Sequence, residues 1–160
     1  MACGLLASSP VAPLAAVSDA GRCPPSGDAI VVDTRAHELW LCTSGTAPAR
    51  FAVALGRSGV GKRRRGDGRT PLGTYALGSP RPSREYGTFI PIGYPTTRQA
   101  AEGLSGTAVG IHGPPRGMDA TRYPVTDVDW TLGCIATGTD REVGEIAAFV
   151  RGRHPAIVIR

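Results

Sequence analysis

No apolar run in this sequence approaches the ~20 residues needed to cross a bilayer as a helix. There is no CxxC pair, and the cysteine spacings are wide and irregular, which argues against a zinc cluster. A basic n-region, the start of a secretory signal, is also missing, because the first charged residue is Asp19. Lysine is nearly absent: Lys62 is the only one, so arginine carries almost all of the positive charge. No internal repeat is visible, which excludes solenoids and propellers.

What remains is the composition of one globular domain. The chain has 160 residues, 41% hydrophobic, with 22 glycines and 14 prolines. That balance favours a turn-rich β architecture over a helix bundle. The net charge of +5 suits an anionic partner, whether nucleic acid, acidic lipid or an acidic wall polymer. The run Lys62-Arg63-Arg64-Arg65 sits among glycines without an aromatic platform or a recognition helix. It therefore reads as a solvated loop, able at most to steer the domain onto an anionic wall, and nucleic acid is not expected as a partner. Arg65-Gly66-Asp67 reads as a tight turn.

Residues 1–27 are small, apolar and proline-bearing, and read as a leader remnant or a flexible tail. The domain proper is expected over 28–160. Short β-rich runs follow at 29–33 and 37–42, forming a hairpin around Thr34-Arg35-Ala36. Further strands are expected at 50–56, 88–94, 108–112 and 156–159, and 70–77 reads as a turn followed by a strand. One helix stands out. Thr139-Asp140-Arg141-Glu142 is a capping box, Val143, Ile146, Ala147 and Val150 make one buried stripe, and Gly152 suits the C-terminal cap. The sum is a mainly β domain with one short helix packed on it.

Two segments carry chemistry. Cys134 follows Gly133 in Asp129-Trp130-Thr131-Leu132-Gly133-Cys134-Ile135, and His112 lies in Gly110-Ile111-His112-Gly113. A thiol needs a base to become a nucleophile, and the base needs an orienting partner. Gly133 lets the backbone approach a substrate, and the amides around Cys134 can donate to an oxyanion. His112 can take the thiol proton, with the following backbone carbonyl fixing its tautomer. Trp130 is placed either to wall the groove or to pack in the core. His37 and His154 have no evident partner. Four cysteines (Cys3, Cys23, Cys42, Cys134) allow three pairings, and sequence does not select among them. With Cys134 as a working thiol, Cys23–Cys42 is the favoured bridge.

These motifs together resemble the L,D-transpeptidase catalytic domain (YkuD type) over Ile30 to Val150, about three-quarters of the chain. Leu39-Trp40-Leu41, Val53-Ala54-Leu55-Gly56 and Gly66-Asp67-Gly68-Arg69-Thr70-Pro71-Leu72-Gly73-Thr74-Tyr75 match its early part. Gly110-Ile111-His112-Gly113 and Thr131-Leu132-Gly133-Cys134-Ile135 match the later part, with 18 residues between His112 and Thr131. The resemblance implies a YkuD-like β-sandwich, a location outside the cytoplasm in periplasm or cell wall, and action on peptidoglycan stem peptides. It makes Cys134 the nucleophile, His112 the base and Gly113 the orienting carbonyl, with Thr131, Gly133, Leu132 and Trp130 shaping the substrate site. The resemblance implies no metal and no organic cofactor. The thioester on Cys134 would pass to an amine of another stem peptide, to a wall-anchored protein, or to water.

Two positions depart from the common pattern. Leu132 stands where many relatives have His, and Ala136 where many have Arg or Asn. The run resembles a DWT-x-GCIA subgroup that includes enzymes thought to hydrolyse links to the diamino acid. Hydrolysis, as an L,D-carboxypeptidase or an amidase releasing wall-linked protein, is therefore the alternative to transfer. A non-catalytic wall-binding module is the third reading.

Overall fold

A computed structural model describes residues 21–120 and 122–160 of this chain. Cys3 and the rest of the expected leader remnant or tail up to residue 20 lie outside the described residues. The expected first hairpin is present as β1 (Asp28–Asp33) and β2 (Glu38–Thr43), antiparallel with Ile30 opposite Leu41 and Val32 opposite Leu39. Its turn is fixed by Asp33, whose side chain accepts from the amides of Arg35 and Ala36, both at 3.1 Å. Both faces of the hairpin are covered. Ile30, Val32, Leu39 and Leu41 enter the main core, while Ala29, Val31, Trp40 and Cys42 form a smaller cluster behind it. The strand alternation of period two produces this division.

The smaller cluster is closed by the segment just before β1. Cys23 is disulfide-bonded to Cys42, with 5.4 Å between their Cα atoms. Arg22 pairs with Asp33 at 2.9 Å, and Arg160 reaches back to the carbonyls of Gly21 and Arg22. Residues 21–27 are thus fastened to the sheet, although composition alone groups them with the tail.

A long third strand, β3 (Thr46–Ala54), divides the architecture. Its first part pairs with β2, and its last residues, Val53 and Ala54, pair with Thr137 and Ala136 of β8 (Ile135–Thr137). Outside β1 lie β9 (Ala156–Ile159), parallel to it, and β4 (Gly73–Ala76). Beyond β8 lie β7 (Gly110–His112), β6 (Gly87–Pro91) and β5 (Arg81–Ser83). The order is β4-β9-β1-β2-β3-β8-β7-β6-β5. The two halves curl about β3 into the expected sandwich, since Ile30 and Val32 share one core with Ile90, Ile111 and Ile135.

Helix α2 (Asp140–Arg153) follows β8 and buries Val143, Ile146, Ala147 and Val150 against that core. Its capping box is complete: Thr139 accepts from the Glu142 amide, and Glu142 accepts from the Thr139 amide. The C-terminal cap is His154 rather than Gly152. His154 adopts the left-handed conformation (φ 48°, ψ 48°) and its amide donates to the Val150 carbonyl at 2.9 Å. Pro155 comes next and cannot donate to continue the helix, so the chain turns one residue earlier. A second, one-turn helix, α1 (Thr97–Ala101), is capped by a Thr96–Gln99 box that sequence reading passed over.

The disulfide closes a loop of 19 residues, so losing it should cost roughly 3 kcal/mol. The double variant Cys23→Ala/Cys42→Ala is expected to unfold at lower urea concentration than the oxidised protein; equal midpoints would show that the bond contributes nothing.

Candidate active site

The site begins with a strand pairing. β7 and β8 run parallel, with Ile111 beside Ile135 and His112 beside Ala136. Continuing that register by one residue sets Cys134 level with Gly110. Partner residues of a parallel pair share a face, and so do residues two apart on a strand. Cys134 and His112 therefore point to the same side, their Cα atoms roughly 8 Å apart from strand spacing and rise. Both belong to the same few turns of backbone, yet 21 intervening residues separate them in sequence.

Cys134 is the free cysteine among the described residues and is half-buried. It opens onto a cleft of about 500 Å³ whose walls include Arg84, Glu85, Tyr86, Ala108 and Leu132. Its Sγ approaches the carbonyl of Ala108 at 3.4 Å. Burial pushes the thiol pKa up, while the Gly110 amide and the charge of Lys62 pull it down; burial wins, so the resting group is the thiol. Another cleft, of about 310 Å³, lies between Gly78 and His154 and has no cysteine in its walls.

His112 is 1% exposed. Burial lowers its pKa below 6.5, outweighing the Gly113 carbonyl and Glu85, which favour the cation. Its Nδ1 lies 2.7 Å from that carbonyl. A carbonyl only accepts, so Nδ1 holds the proton and Nε2 keeps its lone pair. A neutral imidazole with Nε2 free is the protonation state a base requires. The ring is clamped between aromatics: Tyr86 stacks on it at 3.8 Å between centroids, and Trp130 meets it edge-on at 5.7 Å. Trp130 Nε1 donates to the Val125 carbonyl at 2.9 Å. Trp130 thus supports the imidazole from one side, and Tyr86, which no motif singles out, both supports it and lines the cleft.

The turn that presents Cys134 is held by Thr131. Its hydroxyl donates to the Cys134 carbonyl at 2.7 Å and accepts the Gly133 amide at 3.1 Å. The Gly133 amide is therefore engaged within the turn, not free to bind an oxyanion. Gly133 itself has φ 129°, and a Cβ there would come within 2.5 Å of the Arg69 carbonyl oxygen. Only glycine suits both the angle and the approach. Upstream, Asp129 accepts the Leu55 amide at 2.7 Å and faces His37 Nε2 at 3.1 Å, so His37 does have a partner. Leu132 is 64% exposed on the cleft rim, whereas Ala136 is fully buried in β8.

One element is reassigned. Lys62 is not part of a solvated run: its side chain is 3% exposed and pairs with Asp67 at 2.8 Å. Burial disfavours the Asp67 carboxylate, but Lys62 and the amides of Arg64, Arg63 and Arg69 overcome this and hold its pKa far below the usual range. The lone lysine among seventeen arginines is the signal that sequence reading could have weighed. Among the described residues no group of His, Cys, Asp and Glu is arranged to hold a metal, and no helix is long and apolar enough to cross a membrane.

A family model for the L,D-transpeptidase catalytic domain matches residues 27–158. No curated protein matches the chain. Among solved structures, the chain is similar to the helical cell shape determining protein Pgp2 from Campylobacter jejuni (TM-score 0.67, 20% identity, 88% of this chain and 52% of that one). It is similar to Bd1075 of Bdellovibrio bacteriovorus (TM-score 0.61, 19% identity, 84% and 48%). It is also similar to the catalytic domain of the E. faecium L,D-transpeptidase (TM-score 0.58, 16% identity, 84% and 98%). The chain spans about half the length of the first two.

Two outcomes follow from the geometry. A buried neutral His112 binds fewer protons than its unfolded form, so stability is fully present above pH 6.5 and falls as the pH drops below it. In urea unfolding from pH 7.5 down to pH 5, His112→Gln should flatten that decline; an unchanged slope would place the acid sensitivity elsewhere. Thr131→Val keeps the volume but strands the Gly133 amide and Cys134 carbonyl, at a cost of about 1–3 kcal/mol, readable in the same assay.

Proposed function

This chain belongs to the L,D-transpeptidase catalytic domain family, and from that premise we propose that it is a peptidoglycan L,D-transpeptidase working through a thioester on Cys134. The observation that supports this most directly is the free thiol in a cleft beside a buried imidazole whose Nδ1 is bound to the Gly113 carbonyl. That arrangement is a thiol–base pair with its orienting acceptor.

In the proposed reaction His112 Nε2 takes the Cys134 proton as sulfur attacks the carbonyl on the L-centre of the third stem residue. The tetrahedral intermediate collapses, the C–N bond to the terminal D-alanine breaks, and the imidazolium returns its proton to the departing amine. An amine of a second stem peptide, or of a wall-anchored protein, then attacks the thioester and His112 accepts its proton. The thiol is regenerated by the reverse transfer, and no redox step or cofactor enters. The work is placed outside the cytoplasm, where peptidoglycan lies. A part in setting cell shape is proposed from the similarity to Pgp2, which carries that description.

Hydrolysis of the same thioester is the second reading. It is favoured by Leu132, an exposed apolar side chain at the cleft rim, and by the burial of Ala136, which leaves no polar side chain at either position to hold an acceptor.

Cys134→Ala is expected to abolish activity on tetrapeptide-stem muropeptides, and His112→Ala to lower it by at least about a hundredfold. Intact mass after incubation with a carbapenem should show one adduct, absent from Cys134→Ala. Activity surviving in Cys134→Ala would overturn the proposal. Product analysis decides between the two fates: a cross-linked dimer means transfer, and a trimmed stem alone means hydrolysis.

A further inference from the structure

Lys62 is the only lysine of the chain, and it is buried beside the catalytic turn. An ammonium is rarely taken out of water without a purpose or a very good partner. Its partner is Asp67, which is itself held by the amides of Arg63 at 2.8 Å, Arg64 at 3.0 Å and Arg69 at 3.1 Å. The Lys62 backbone is also fixed: its carbonyl accepts from the Tyr94 hydroxyl at 3.0 Å, and the neighbouring Gly61 amide donates to the Thr70 carbonyl at 2.8 Å. Loop closure could be served by an ion pair anywhere along this segment. This one lies against the residue directly before the thiol.

The contacts of two glycines show how close it lies. A Cβ on Gly133 would sit 3.4 Å from Lys62 Nζ, and one on Gly106 would sit 3.0 Å from Lys62 Cε. The ammonium is therefore wedged between the back of the Gly133-Cys134 turn and the loop leading to β7. Three N–H bonds radiate from it, and Asp67 Oδ1 takes one. The titratable groups near Cys134 are His112 on β7 and Glu85 and Tyr86 on the β5–β6 side. Those near Lys62 are Asp67 and Tyr94. His112 is neutral at rest, and Glu85 is an acid. Two cations, Arg81 and Arg84, also line the cleft, but the charge that acts to favour a thiolate at Cys134 is that of Lys62.

We propose that Lys62 is a positioning residue for the acyl-transfer site: clamped by Asp67 behind the Gly133-Cys134 turn, its ammonium stabilises the Cys134 thiolate through the protein interior. This rests on the reading of Cys134 as the nucleophile. It assigns the pair Lys62–Asp67 a role beyond closing the loop. Burial makes the thiol harder to ionise, and a fixed charge that water does not screen is the effective counterweight.

The test exploits the single lysine. Protein labelled with [ε-13C]lysine gives one side-chain resonance, and it is titrated from about pH 5 to about pH 10, a range that brackets an ordinary thiol. Iodoacetamide alkylation over the same range gives the thiol midpoint. The Lys62 resonance should step at that midpoint, and the step should vanish in Cys134→Ser, while any steps caused by His112 or Tyr86 persist. A resonance that stays flat through the thiol midpoint would overturn the proposal in the unaltered protein, without relying on a variant to fold. As a second readout, Lys62→Met should move the alkylation midpoint up by about one pH unit, roughly a tenfold slowing at pH 7, and Lys62→Arg should restore most of it. Equal slowing in both variants would mark a merely structural residue. None of these measurements uses peptidoglycan. A carbapenem adduct with an uncoupled lysine would sink the Lys62 role alone, and a coupled lysine with no adduct would sink the transpeptidase reading alone.

Discussion

The parallel pairing of β7 with β8 is the constraint on which the site depends. It spans only Ile111 with Ile135 and His112 with Ala136. A parallel pair needs a crossover of a dozen or more residues, usually a helix. Here the described residues between 113 and 134 contain no helix, so their position must be fixed by other means. Asp129 ties them to the end of β3 through the Leu55 amide, Thr131 exchanges backbone bonds with Leu55 and Arg57, and Trp130 folds back onto the Val125 carbonyl. The run Asp129-Trp130-Thr131 thus acts as the clasp of the crossover. Asp129 and Thr131 both hold Leu55 while Trp130 holds Val125, and Cys134 inherits its position from all three. Helix α2 completes the support from the other side: a Cβ on Gly113 would meet Asp140 Oδ1 at 2.8 Å and Val143 Cγ1 at 3.2 Å.

Burial sets the electrostatic regime. It raises the Cys134 pKa and lowers that of His112, so both groups rest neutral. A preformed thiolate–imidazolium pair would require the opposite shifts. In the proposed reaction, proton transfer from sulfur to Nε2 therefore creates charge where none stood, and charge created in a low-dielectric site is costly unless dipoles and ions are already aligned to receive it. The Gly113 carbonyl faces the imidazolium that would form, and Glu85 adds to it. The Gly110 amide and Lys62 face the thiolate. Each developing charge meets one backbone dipole and one ionised side chain, fixed before any substrate arrives.

Much of this was readable from the residues, and the failures share a cause. β-rich runs around the 34–36 turn and at the C-terminus marked the β1–β2 hairpin and β9, and the Thr139–Glu142 box marked the start of α2, because each is encoded by neighbours in sequence. The Gly-Cys and His-Gly motifs marked the two segments that β7 and β8 bring together. β8 escaped notice because its three residues follow the cysteine directly and are too few to show a period. The short β5, with Arg81, Pro82 and Ser83, carries no strand signature at all and exists by pairing with β6. Lys62 was misread for the opposite reason. Its neighbours Arg63, Arg64 and Arg65 make the run look uniform, but burial is decided one residue at a time by what the loop folds against. The His37–Asp129 contact spans 92 positions and has no local signal.

The departures at Leu132 and Ala136 acquire a structural meaning once the cleft is known. Position 136 lies inside β8 with no exposed surface, so a side chain there serves the strand pairing and not a substrate. Position 132 reaches the cleft, but with an apolar side chain. On the turn that carries the thiol, then, nothing polar is offered to a bound peptide beyond backbone. The charged side chains of the cleft all come from the opposite wall, Arg81 and Arg84 with Glu85, on β5 and the loop after it. The Arg81 guanidinium lies over the Phe89 ring, its Cζ 5.1 Å from the centroid, which holds the charged head against the wall. On the proposed reading a stem peptide is recognised by that wall and acylated from the other. The side chains that select the substrate and those that attack it therefore sit on different segments, coupled through Glu85 and Tyr86, which line the wall and also act on His112.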